Sequence, residues 1–218
     1  DSWLGNFSGS AGDRLPVCRL HLERSRDNRL RTSAMLEWDD IRLVIDAGPD
    51  FRYQMLRTGV RHIDAILLTH EHKDHIGGLD DVRAFNFVDY PTIHRIDVFG
   101  TRQTLKCVRK DFDYASRRIN TAACPKSSCM DRRHPAVPVG GLEVVPVSGH
   151  HSDRFAVTGY RIGRLAYLTD FKTIGDAEVE KLRAWRCVVV NALRFTEHYS
   201  HFNVAEALAL IARVAPRE

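Results

Sequence analysis

The stretch LLTHEHKDHIGG, residues 67–78, sets three histidines and two acidic side chains within six positions, directly after an apolar run. Polar groups at the end of a buried strand are costly unless something pairs with them. His70 and His72 are two residues apart, so on an extended segment they point to the same side. Asp74 and His75 follow where the chain has to turn. Imidazole nitrogen and carboxylate oxygen are ligands for Zn, Mn and Fe ions. The run H-x-H-x-D-H thus offers two ligands to one ion and two to a neighbour. Gly77 and Gly78 let the backbone pass close to such a site before a helix begins. The competing account is a solvated loop rich in histidine. Four ligand-type side chains in six residues at a strand end, followed by Gly-Gly, speak against it.

Outward from this cluster the chain alternates strands and helices. Residues 43–46 (LVID) are expected as a short strand broken at Ala47-Gly48-Pro49, and residues 64–69 (DAILLT) as the strand that leads into the cluster. Residues 78–88 read as a helix with Leu79, Val82, Ala84, Phe85 and Val88 on one side. A strand over 95–99 and a helix within 100–114 follow. Residues 121–138 carry Cys, Ser, Pro and Arg with no periodicity and read as a loop. Strands are expected over 142–147, 156–162 and 164–169, with a turn at Gly163, then a helix over 178–184 and a buried strand over 187–191. The last helix starts near Asn203, which with Glu206 has the spacing of a capping box. The whole is expected to be one α/β domain spanning residues 1–218.

Composition excludes several classes. Of 218 residues, 44% are hydrophobic and 28% charged, ordinary for a globular protein with a sizeable core. A net charge of +4 is compatible with anionic substrates without demonstrating them. The start has no basic segment leading into an apolar core, and no apolar run approaches the length of a membrane span. A cytoplasmic protein with no membrane partner is the expectation. The 5 cysteines are odd in number and irregularly spaced, unlike a disulfide framework. Cys124 and Cys129 with His134 are poorly spaced for a standard zinc site and read as ordinary loop residues. Arg117-Arg118 and Arg132-Arg133 are short basic pairs; nucleic acid is compatible with them but not indicated. A homodimer is equally compatible and not decided.

THEHKDHIGG resembles the T-H-x-H-x-D-H-x-G-G signature of the metallo-β-lactamase fold hydrolases. IDAG at 45–48, AYLTD at 166–170 and PVSGHHS at 146–152 are similar to further elements of that family, in the right order. The resemblance implies a four-layer αβ/βα sandwich with a dinuclear metal site at one edge. DNRLRTSAML (27–36), IDAGPDFR (45–52), GLDDVRAFNF (78–87) and GYRIGRLAYLTD (159–170) are similar to its cytoplasmic phosphodiesterase branch, which includes the phosphoribosyl 1,2-cyclic phosphate phosphodiesterases. That implies hydrolysis of a small or cyclic phosphodiester by a hydroxide generated on two divalent transition-metal ions (Zn, Mn or Fe).

By the family pattern, His70, His72 and a later histidine hold one ion, Asp74 and His75 belong to the second, and Asp170 bridges. The later histidine is His150 or His151, and spacing from Pro146 and Gly159 favours His151. Asp74 and His201 are the candidate catalytic residues. The resemblance places His201, in HYSHFN, where this branch carries a general acid, with His198 a weaker candidate; the alternative for His201 is a helix-start histidine. Asp46 and Asp50 are expected to orient the metal loops by accepting hydrogen bonds, or else to serve turn chemistry around Gly48-Pro49.

Departures from the family bear on activity. Its last ligand lies in a THxSH-type motif after the final helix, and this sequence ends where that strand would begin. Either the natural protein is longer, or the sandwich lacks part of its C-terminal end and the second metal is held with one ligand fewer. Of the N-terminal cysteines that bind a structural zinc in the branch, only Cys18 matches. Asp13 and Leu15 stand in place of the others, so that zinc is expected to be absent. A thioester or lactone hydrolase of the same fold, a tRNA-processing nuclease and a degenerate non-catalytic metal-binding member are the alternatives.

Overall fold

The structure, a computed structural model, describes residues 30–116, 126–130, 136–183 and 186–215. Cys18, Asp13, Leu15, Cys124, His134 and both arginine pairs lie outside these residues.

Two sheets form the centre. The first takes β1 (Ala34–Trp38), β2 (Ile41–Ile45), β3 (Ala65–Leu67), β4 (Asp97–Gly100) and β5 (Lys126–Cys129) in that order. Only the β1–β2 pair is antiparallel; the other three pairs run parallel. The second has β7 (Leu142–His150), β8 (Ala156–Ile162) and β9 (Leu165–Leu168) as an antiparallel meander. To this β11 (Cys187–Val190) adds in parallel to β9. β6 (Val137–Val139) and β10 (Thr173–Ile174) both pair with β7.

Period-two alternation sorts each strand's side chains between two cores. Leu43, Ile45, Ala65 and Leu67 face Val144, Tyr160, Ile162 and Tyr167 across the gap between the sheets. The intervening Val44, Ile66 and Leu68 face outward onto α1 (Phe51–Thr58), α3 (Leu79–Val82) and α4 (Arg102–Asp111), through Phe51, Met55, Leu79, Val82 and Leu105. On the far side Val147, Val157, Ala166 and Leu168 pack under Val179 of α6 (Asp176–Glu180) and Ala207, Leu210 and Val214 of α7 (Val204–Val214). Three apolar layers separate four layers of secondary structure, the αβ/βα sandwich that the resemblance implies. It also explains why β2 and β3 read as continuous apolar runs, since both of their faces are covered. No helix among the described residues is long and apolar enough to cross a membrane.

Several elements differ from their sequence expectation. The helix over 78–88 stops at Val82 and continues as a 3₁₀ turn, Arg83–Phe87. Asn86 is buried there, accepts from the backbone of Ile96 and His94, and so ties the chain back toward β4. Ala84 and Val88, placed on the apolar side, are exposed. The loop expected over 121–138 contains β5 and β6. The KSSC strand has no apolar signal of its own; its order comes from the ladder with β4. Val-Pro-Val lies at an edge, where proline's missing N–H costs no ladder bond. The helix expected over 178–184 covers Asp176–Glu180 and passes into a turn. The strand expected to end at Val147 runs on to His150.

The capping box at α7 is present in full: Asn203 Oδ1 accepts from Glu206 N at 2.8 Å, and Glu206 Oε2 accepts from Asn203 N at 2.8 Å. Lys172 Nζ donates to Glu206 Oε1 at 2.7 Å. Partial burial pushes the Glu206 carboxyl up, but Lys172 and the Asn203 N–H outweigh it and leave it below its usual value. A depressed folded-state value means the contribution is present above the ordinary glutamate range and is lost as pH falls through the folded value. Urea unfolding of Glu206→Gln is therefore expected to cost about 1 kcal/mol at pH 7. The gap from the unaltered chain is expected to close as pH drops below the ordinary glutamate range. A gap independent of pH would show that the carboxylate charge plays no part.

Candidate metal centre

Four strands end at one edge of the sandwich, and each end delivers part of the site. β2 leads into Asp46, β3 into His70, β7 into His151 and β9 into Asp170. β2 and β3 run parallel, and β7 and β9 share a direction because both oppose β8. Binding at the carboxyl ends of strands is the general arrangement of α/β sheets. The 70–78 turn is stitched onto the end of β2: Ala47 N donates to His75 O and Gly78 N to Ala47 O, each at 2.8 Å. The approach is close enough to require glycine. A Cβ on Gly78 would lie 2.1 Å from Gly48 O, and one on Gly48 would lie 2.1 Å from Asp74 O.

Asp46 is fully buried and accepts three hydrogen bonds: from Thr69 N at 2.8 Å, Thr69 Oγ1 at 2.8 Å and His75 Nδ1 at 2.7 Å. Thr69 Oγ1 spends its one proton on Asp46, so it accepts from His70 Nδ1–H at 2.9 Å. That assignment leaves His70 Nε2 with a lone pair. Its neighbour across 3.0 Å is His72 Nδ1. His151 Nδ1 donates to Ser200 O at 2.9 Å, which leaves Nε2 of that ring open as well. The donor atoms of His70, His72 and His151 lie within 4.8 Å of one another. Such outer partners, a carboxylate or a carbonyl holding the far ring nitrogen, are the usual second layer of a metal site.

Asp170 joins the cluster from the other sheet. Its Oδ2 lies 2.7 Å from His75 Nε2 and 3.6 Å from His70 Nε2, and its Oδ1 lies 3.5 Å from His201 Nδ1. His70, His75 and Asp170 form a second ligand-capable group, and His151, Asp170 and His201 a third. Asp46 and Asp170 both have left-handed backbone, with φ of 62° and 59°. Aspartate tolerates this better than most residues, and such conformations concentrate at functional sites.

Burial, helped by the neighbouring imidazoles, holds His70 well below its ordinary value and His72 below it, so both rings are neutral. A neutral ring is the form that binds metal. At His75 burial pulls the same way, but the carboxylates of Asp46 and Asp170 outweigh it and hold the ring well above its usual range. Burial would raise Asp170; the facing His75, with His70 and His201, draws it well below the carboxylate range instead. Burial brings His201 down to about 4, against the opposing charge of Asp170.

The donor set fits divalent transition metals: imidazole nitrogens with lone pairs, a carboxylate shared between groups and outer partners that fix each ring. The structure brings His70, His72, His75, His151, Asp170 and His201 together. Asp74 is placed differently. Its Oδ2 is 3.6 Å from His75 Nε2, outside all three close groups. His150 is exposed at the end of β7, while His151 is buried in the cluster. Asp46 orients His75, whereas Asp50 accepts from Arg31 N at 2.8 Å and touches no histidine. Thr69 and Ser200 were given no role from sequence. Thr69 stands beside His70 in the quoted run, a signal that could have found it; Ser200 acts through its carbonyl, which carries no residue-specific signal.

Residues 41–218 match the family described as the beta-lactamase superfamily domain. The chain belongs to that superfamily. Among solved structures of beta-lactamase superfamily chains, a diphosphatase of the PhnP family is 35% identical, with a TM-score of 0.78, and the match covers 87% of this chain and 72% of that one. The short form of human tRNase Z shares the fold at 12% identity, with a TM-score of 0.64 over 87% of this chain and 84% of that one. An octanoyltransferase of Porphyromonas gingivalis is 37% identical over 207 residues, 93% of this chain but 40% of that protein. This superfamily chain thus spans less than half the length of that curated relative.

Proposed function

We propose that the chain is a metal-dependent hydrolase of small or cyclic phosphodiesters. The observation that carries it is the set of three ligand groups linked through His70, His151 and Asp170 at one sheet edge. His70, His72 and His151 would hold one divalent ion, and His75 and Asp74 a second, with Asp170 shared between them. Two such ions supply an activated water and offset charge on the phosphoryl oxygens.

The protein's own residues do the rest. Thr69 and the Ser200 carbonyl fix the rings of His70 and His151, and Asp46 fixes His75. When water adds to phosphorus and the P–O bond to one alcohol breaks, that oxygen needs a proton. His201, which faces Asp170, is the group we assign to take up the proton released by the attacking water and pass it to that oxygen. Negative charge building on the phosphoryl group favours the protonated ring at that moment. Free thiols at Cys107, Cys129 and Cys187 fit a cytoplasmic setting.

A second reading, an acyl ester or thioester hydrolase of the same fold, is favoured by the name of the Porphyromonas relative. That name belongs to a protein of which the matched part is 40%. Assay of the metal-loaded protein on bis(p-nitrophenyl) phosphate beside an acyl thioester separates them. Turnover of the diester is expected to exceed that of the thioester; the reverse order would replace the phosphodiesterase assignment with the acyl one.

A further inference from the structure

The loop between β11 and α7 does more than deliver His201. Its ends are pinned: Leu193 N donates to Phe202 O at 2.9 Å and Val204 N to Arg194 O at 3.0 Å. Arg194 Nε reaches the Thr196 carbonyl at 3.3 Å, and Ser200 N and Oγ lie 3.3 and 3.2 Å from His198 Nδ1. The Ser200 carbonyl is bound to His151. A loop closed on itself and bonded to the cluster is held in place. Yet it carries Phe195 and Tyr199 at 86% and 80% exposure. Large rings so exposed on a fixed loop are unexplained by packing.

Tyr199 is continuous with the centre. Its ring leans on His198 at 4.7 Å between centroids and 34°, His198 lies 5.2 Å from His201, and His201 lies 4.5 Å from His151. Two ring contacts therefore separate Tyr199 from the histidine proposed to face the leaving group. Another exposed ring, Phe155 at 42%, sits edge-on to His72 at 5.0 Å. Its carbonyl accepts from His151 N at 2.8 Å, so its position too is tied to the cluster.

On the footing that the site takes phosphoesters, we infer that Tyr199 is a specificity-determining residue. It is a stacking platform for a planar ring carried by the substrate one sugar away from phosphorus. A ring on a ring needs no hydrogen-bond code and suits a scissile phosphate fixed elsewhere. A protein partner is the less favoured occupant. Glu197 and His198 separate the two aromatics along the loop and Arg194 precedes them, so the exposed surface is mixed rather than apolar.

The test compares two monoesters that differ only in the ring, AMP and ribose 5-phosphate, by calorimetric titration of the metal-loaded protein. AMP is expected to bind at least about fivefold tighter, the low end of what one base on an aromatic side chain contributes. Tyr199→Ala is expected to erase that preference while leaving ribose 5-phosphate unchanged, and Tyr199→Phe to keep it. Because Tyr199 is so exposed, the alanine variant is expected to melt at the same temperature. Equal binding of the two ligands by the unaltered protein, or a preference that survives Tyr199→Ala, overturns the inference. So does a fall from dimer to monomer in Tyr199→Ala with the preference intact, which would assign the ring to self-association. The assignment of phosphodiester hydrolysis fails separately, through the turnover assay above.

Discussion

His72→Ala and Asp170→Asn are each expected to lower kcat/KM on bis(p-nitrophenyl) phosphate by more than about a hundredfold, beyond the range seen when only outer partners of a metal are changed. A hundredfold loss corresponds to about 2.7 kcal/mol of transition-state stabilisation. His72 contributes to one of the three ligand groups, and Asp170 to the other two. Removing the His72 ring leaves the first ion only His70, His151 and its share of Asp170, a weaker hold against a chelator. His72 is only half-buried, so its loss leaves the cores intact. Asparagine at 170 keeps the left-handed backbone comfortable but removes the charge that pairs with His75 and His70. Elemental analysis of each variant is expected to show fewer equivalents of metal than the unaltered chain. Turnover and metal content both unchanged in either variant would sink the assignment of these side chains as ligands.

Asp46→Asn is expected to act from one layer further out. The carboxylate accepts three hydrogen bonds, two from Thr69 and one from His75. An amide of the same shape offers one acceptor oxygen and turns two N–H donors toward groups that are themselves donors. With φ at 62°, asparagine fits the backbone as well as aspartate does. The substitution therefore isolates hydrogen bonding from strain. A buried donor left unpaired costs about 1–3 kcal/mol, so urea unfolding is expected to show a loss of that size. Freed from Asp46, the His75 ring loses its orientation, and Thr69 loses the contact that sets the His70 tautomer. Metal affinity, measured by competition with a chelator, is expected to fall about 10- to 100-fold. Affinity equal to that of the unaltered protein would show that the ring positions do not depend on Asp46.

Much of the fold was legible because burial on both faces leaves a simple trace. LVI and AILL are apolar throughout since cores lie on both sides of them, and the Asn203–Glu206 spacing marks the start of α7 where the structure has it. CVVV, expected to be buried, is instead an edge strand with Cys187 and Val189 exposed and only Val188 and Val190 packed inward. β5 and β6 left no such trace, because an edge strand is held by its neighbour's backbone and KSSC or VPV has no pattern to read. The 3₁₀ turn after Val82 was illegible for a related reason: it depends on Asn86 finding partners at His94 and Ile96, ten or fewer residues away but on a returning segment.

At 70–75 the residue types and their spacing alone marked His70 and His72 as sharing a face, because side chains two apart on an extended segment point the same way whatever the rest of the molecule does. Family resemblance also pointed to Asp170 and a histidine near 150. It took the packed sandwich to bring His151 rather than His150 into the cluster, to set Asp46 and not Asp50 against a ring, and to carry His201 to Asp170. Those outcomes depend on which strand ends share an edge and which way one residue at the end of β7 points. Strand order and register arise from packing across the whole sandwich, and no local spacing encodes them.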